Sequence, residues 1–112
     1  MMLQARGEQP PLERRGVQAI ALGAQARAVL APIVNELRHR LPVPTFADYQ
    51  DRKLLAHLRI ADRNRARYAL IVGSDELASG ELVLRDLDLR SDRRLPLGEP
   101  RVVAESLVEA GI

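Results

Sequence analysis

The chain has 112 residues, enough for one domain with a single core, and 46% of them are hydrophobic while only 3% are aromatic, so that core is aliphatic. Seventeen basic residues against 15 acidic ones leave a net charge of +2, which permits a nucleic-acid partner without requiring one. The absence of cysteine excludes a disulfide framework, a thiolate zinc site and a cysteine nucleophile, and no apolar run approaches the length of a membrane span.

Residues 1–16 carry Gly7, Pro10, Pro11 and Gly16 among mixed charges and read as a tail or linker; residues 17–112 read as the domain. Val17 to Leu22 is short, apolar and bounded by glycines, which predicts a buried strand. Ala24 to Leu41 follows as a helix, because Val29, Leu30, Ile33, Val34, Leu37 and Leu41 recur at helical spacing. Pro32 inside it predicts a kink or two shorter helices. Val43 to Ala47 is the next strand, pushed toward an edge by Pro44. Asp51 is the expected N-cap of a helix from Arg52 to about Asn64, with Leu54, Leu55, Leu58 and Ala61 as its buried stripe. Asn64 is the residue expected to close that helix in a left-handed conformation.

Tyr68 to Val72 is a continuous apolar run, the pattern of a strand covered on both faces. A short acidic connection at Ser74, Asp75 and Glu76 leads to Glu81–Leu89, which alternates with Leu82, Leu84 and Leu87 on one side. So short a connection requires antiparallel pairing. Arg93 to Leu97 predicts a last edge strand. Glu99 to Ala110 closes as a helix with Pro100 near its start and Val103, Leu107 and Val108 toward the core. The strand–helix alternation argues for a largely parallel sheet with helices on both faces.

Ligands of such sheets gather beyond the carboxyl ends of the strands. Those ends are Gly23 to Gln25, Asp48 to Lys53 and Gly73 to Glu76. In the second loop, Tyr49 is suited to stack on an unpaired base, Gln50 to read a base edge, and Arg52 and Lys53 to hold phosphates. Without further context the same residues read first as a solvated loop in which Asp51 only closes the helix. Glu76 has two roles open to it: accepting hydrogen bonds from a base, or capping its own turn. Arg59, Arg63, Arg65 and Arg67 form either a basic flank for a nucleic-acid stem or a solvated charged face. His39 and His57 read as surface or boundary residues. No dinucleotide fingerprint, P-loop or hydrolase constellation is present, and no catalytic, metal-binding or cofactor-binding residue is assigned.

Ala61-Asp62, Tyr68 to Gly73, Asp75-Glu76-Leu77, Gly80 and Leu82 to Leu87, taken together, resemble the C-terminal anticodon-binding domain of class II aminoacyl-tRNA synthetases, nearest to the histidyl type. The resemblance implies a three-layer α/β/α fold around a five-stranded mixed sheet with its fourth strand reversed. It implies a tRNA partner, histidine tRNA, with Tyr49, Gln50, Arg52, Lys53, Glu76 and Arg59 as tRNA-binding candidates, in the cytoplasm. Residues 1–16 then resemble the end of a catalytic domain and its connector. ATP, magnesium and the catalytic residues of a histidine–tRNA ligase belong to that domain, which is also a possible partner, so this chain alone is expected to be non-catalytic. Gln50-Asp51-Arg52-Lys53 departs from the family's often glycine-rich loop. That departure keeps a second reading open, a synthetase-derived protein-interaction module.

Overall fold

The computed structural model describes residues 14–48 and 50–110. Tyr49 and residues 1–13 of the expected linker lie outside the described residues. Among the described residues nine elements follow one another: β1 (Val17–Ala21), α1 (Ala24–Arg40), β2 (Thr45–Ala47), α2 (Leu54–Arg63), β3 (Tyr68–Val72), α3 (Ser74–Ser79), β4 (Glu81–Asp86), β5 (Ser91–Pro96) and α4 (Pro100–Glu109). The strands form one five-stranded sheet in the order β2-β1-β3-β4-β5. β1 pairs parallel with β2 and β3, with Val17 opposite Thr45 and Tyr68. β4 runs antiparallel between β3 and β5, so the fourth strand is the reversed one.

Strand alternation divides the interior into two cores. Val17, Ala19 and Ala21 of β1, Leu70 and Val72 of β3, and Leu82 and Leu84 of β4 face α1 and α4, meeting Leu30, Ile33, Leu37, Val103 and Leu107. Ile20, Ala69 and Ile71 face the other way, with Leu54 and Leu58 of α2, Val83 of β4 and Leu87 just after it packed on them. This double coverage is why β1 and β3 are buried at every position. Leu87 thus belongs to the side opposite Leu82 and Leu84, because the odd positions of the run share one face.

Several local expectations change. Pro32 sits inside one uninterrupted helix, α1, with its ring exposed while Leu30, Ile33, Val34 and Leu37 are anchored around it. Packing of that apolar face holds the helix through the missing hydrogen bond. α2 starts at Leu54, and its N-cap is Lys53, without a side-chain cap. Asp51 is drawn away to Arg27 of α1, whose Nη1 lies 2.7 Å from Asp51 Oδ1. The buried stripe of α2 runs through His57 and Ala61, flanked by half-buried Leu54 and Leu58, while Leu55, one position out of phase, is 61% exposed. His57 is therefore a core residue with no exposed surface, not a boundary one.

Asn64 ends α2 in right-handed geometry, and Arg65 takes the left-handed position at φ 55°. The Asn64 side chain is used elsewhere: its Nδ2 donates to Gln18 Oε1 at 3.0 Å. The acidic connection after Gly73 is itself a short helix, α3, ended by Gly80 at φ 78°. In α4, Val103 and Leu107 reach the core, whereas Val108 is 51% exposed.

Several contacts anchor the chain where it enters β1. Arg15 N–H donates to Arg65 O, and Gly16 O accepts from Arg67 and Tyr68 N–H. Gly16 lies at φ +97°, and a Cβ there would stand 2.6 Å from Pro44 O, so only glycine fits the crossing. At the other turn, Asp86 binds Arg67 through both oxygens, each at 3.0 Å, and its Oδ1 also accepts from Asp88 and Leu89 N–H.

Candidate nucleic-acid interface

Because β2, β1 and β3 are neighbouring parallel strands, their carboxyl ends open on one rim of the sheet. Gly23, the 48–53 loop and the turn from Gly73 into α3 all stand there. The rim therefore brings Gln50, Arg52, Lys53 and Glu76 to a common end of the molecule.

The loop after β2 is organised by Asp48. Its Oδ1 accepts the Gln50 N–H at 3.0 Å, and its Oδ2 meets Arg52 Nε at 2.6 Å. The Gln50 hydrogen bond first, and Arg52 second, hold the Asp48 carboxyl below its ordinary pKa. Arg52 is further bound by Gln50 Oε1 at 3.0 Å, so two predicted contact residues are tied to one another. Lys53 is exposed and, among the described residues, has no acidic partner.

Glu76 takes the capping role. Its Oε1 accepts the Gly73 N–H at 2.7 Å from the first turn of α3, where a carboxylate also faces the positive helix end. Glycine at 73 leaves room for that side chain, since a Cβ there would stand 3.2 Å from Oε1.

Arg59 stands apart from the rim. It lines a groove of about 770 Å³ between α2 and the β4–β5 hairpin, with Leu55, Leu58 and Leu87 forming apolar wall. Arg14, Arg85 and Arg90 line the same groove. Arg14 is paired with Asp62 and Arg85 with Asp92, whose carboxyl that guanidinium holds below its usual range, whereas Arg90 makes no close ion pair among the described residues and acts on Asp62 only through its charge. Sequence reading missed Arg85 and Arg90 because only the sheet register, with Arg85 opposite Asp92, brings this hairpin beside α2. Arg63 is exposed on α2, and Arg67 is committed to Asp86. The ring nitrogens of His57 have no hydrogen-bond partner among the described residues, and burial lowers its pKa.

The fold and its polar rim define a three-layer α/β module with polar loops at the carboxyl ends of parallel strands. Over residues 17–110 the sequence matches the anticodon binding domain family, and the chain belongs to that family. The histidine–tRNA ligase of Desulfitobacterium hafniense is 41% identical over 93 residues, covering 83% of this chain and 22% of that protein. The histidine–tRNA ligase of Corynebacterium jeikeium is 34% identical over 110 residues, covering 97% of this chain and 24% of that protein. In fold, the chain is similar to the crystal structure of apo S. aureus histidyl-tRNA synthetase, with a TM-score of 0.71 and 22% identity over 89% of this chain and 28% of that one. The chain thus spans 22% to 24% of the length of these curated relatives. No described helix is long and apolar enough to cross a membrane.

Proposed function

We propose that this domain binds tRNA, with histidine tRNA as its cognate partner, and that the rim at the carboxyl ends of β1, β2 and β3 faces the anticodon. Membership of the anticodon-binding family supports the ligand class, and the histidine–tRNA ligases similar to it support the choice of tRNA. The observation that carries the site is the parallel β2-β1-β3 order, which gathers Gln50, Arg52, Lys53 and Glu76 on one rim. In this reading Lys53 and Arg52 attract phosphate, Gln50 and Tyr49 meet bases, and Arg59 extends the contact along α2 toward Arg90. ATP and magnesium belong to a separate catalytic domain with which this module would act, in the cytoplasm; the module forms no adenylate by itself.

The experiment is a titration with histidine tRNA and with a tRNA bearing a foreign anticodon, each at two salt concentrations. Preference for the cognate anticodon is expected. Equal and steeply salt-dependent binding would reduce the interface to phosphate attraction. A second reading, a protein-interaction module, is favoured by one feature: Arg52 and Gln50 are already engaged with Asp48 and with each other. Failure to bind either RNA would establish that reading in place of the first.

A further inference from the structure

Beside the edge strand β2 lies a groove of about 570 Å³, within the range that holds small ligands. It is distinct from the rim loop but touches it at Asp48 and Gln50. Its wall combines the neutral hydrogen-bonding groups of Gln18, Thr45 and Asn64 with apolar Phe46 and Ile60, and the charged Arg38 and Asp48 also line it. Gln18, only 1% exposed, uses Oε1 to accept from Asn64 Nδ2, which leaves its own amide hydrogens and the Asn64 carbonyl without partners among the described residues.

The backbone of β2 adds to this set. Pro44 O accepts from Val17 N–H, so it points toward β1, while Thr45 O points outward and accepts from Arg38 at 3.1 and 3.2 Å. Alternation along the strand turns Ala47 outward as well, and its N–H and C=O meet the groove as an adjacent donor and acceptor. Phe46, the only phenylalanine in the chain, supplies an aromatic surface.

Donors and acceptors side by side with a ring are the chemistry that recognises a nucleobase edge. A phosphate does not suit the groove, because Arg38 is occupied by Thr45 O and the Asp48 carboxylate stands at its end. An added peptide strand does not suit it either, since β2 has three residues and Arg38 already covers its outer carbonyl. We infer that this groove receives one unstacked base of the bound RNA, held by Gln18, Asn64 and the Ala47 backbone. The inference rests on the RNA-binding reading and assigns to it a base-reading position away from the rim cations.

The test uses a short stem-loop carrying the histidine anticodon, together with versions in which each loop nucleotide in turn is abasic. Binding is measured for the wild type, for Asn64→Ala, which alters an exposed side chain, and for Gln18→Met, which keeps the buried volume and removes the amide. One abasic position is expected to weaken wild-type binding about tenfold. Asn64→Ala and Gln18→Met are expected to weaken binding to the intact RNA by a similar factor and to abolish the penalty at that same position. Additive losses, or variants that bind as the wild type does, overturn the groove while leaving tRNA binding intact. Absence of any RNA binding by the wild type overturns both. A free nucleoside that binds as tightly as the stem-loop would transfer the groove to a small-molecule ligand and overturn its role in RNA recognition.

Discussion

Arg52 turns back within its own loop, so that its Nε lies 2.6 Å from Asp48 Oδ2. The pair holds the loop in one shape and lowers the positive field that Arg52 would otherwise offer to phosphate. Asp48→Asn is therefore expected to strengthen binding of both cognate and foreign tRNA at low salt and to steepen the salt dependence by about one phosphate contact. Arg52→Ala should weaken both equally. If Asp48→Asn leaves affinity and salt slope unchanged, the ion pair does not restrain Arg52.

Glu76 contributes through the turn as well as through its position on the rim. Glu76→Ala removes the acceptor for the Gly73 N–H and is expected to cost about 1 kcal/mol of stability. For a domain of this size that is a fall in melting temperature of roughly 4–8 °C. Glu76→Gln keeps an acceptor and should recover most of the loss in a thermal melt. If only the Ala variant melts early but both variants change anticodon preference, the carboxylate has both roles.

His57 is buried without a hydrogen bond to either ring nitrogen. His57→Leu is expected to stabilise the fold by about 1 kcal/mol, because no buried polar group is then left unsatisfied. Burial lowers the folded pKa, against the opposing pull of Asp48 and alongside the repulsion of Arg52. The unfolded chain then binds a proton that the folded one refuses. The stability present above the unfolded value of about 6.5 is lost as pH falls through the folded value. Urea unfolding between pH 7.5 and 5 should show this loss in the wild type and a smaller one in His57→Leu.

Asp86 gives the contrasting window. Arg67 first, then the turn amides, hold its carboxyl below the ordinary value. Its contribution is present above the unfolded pKa of about 4 and disappears as pH falls through the folded one. Asp86→Ala is expected to destabilise by about 3 kcal/mol at pH 7, since it leaves Arg67 without its partner and two turn amides without an acceptor. Denaturant midpoints at pH 7 and pH 3 should converge for variant and wild type.

Gly16→Ala tests the crossing before β1. The left-handed backbone and the 2.6 Å approach to Pro44 O are both incompatible with a Cβ. A loss of roughly 2 kcal/mol is expected from equilibrium unfolding.

The layers were legible because β1, Gln18 apart, and β3 are runs of apolar residues buried at every position while β4 alternates, and burial on two faces or one writes that difference directly. The rim was legible for the same reason, since parallel strands send their following loops to one end. Side-chain partnership was not. Asp51 looked like a cap, but Arg27 from a different helix was a better partner, and no local pattern announces that. α3 was invisible as a helix because its six residues bury none of their side chains. His57 reads as a boundary residue because its polarity masks its place on the 54, 57, 58, 61 stripe, which spacing alone would have revealed. Gln18 shows the limit in the other direction. An amide inside an apolar strand reads as a tolerated exception until Asn64, 46 residues later, supplies its partner.

The anchoring of Arg14 to Asp62 and the Ala66 carbonyl, together with that of Arg15 to the Arg65 carbonyl, fixes where the polypeptide joins the domain. That junction lies at the pole where the three parallel strands begin, and the loops proposed to meet RNA lie at the pole where they finish. A bulky neighbour tethered through Arg14 would hang from the rear of the module and leave its working surface clear for a long nucleic acid to approach.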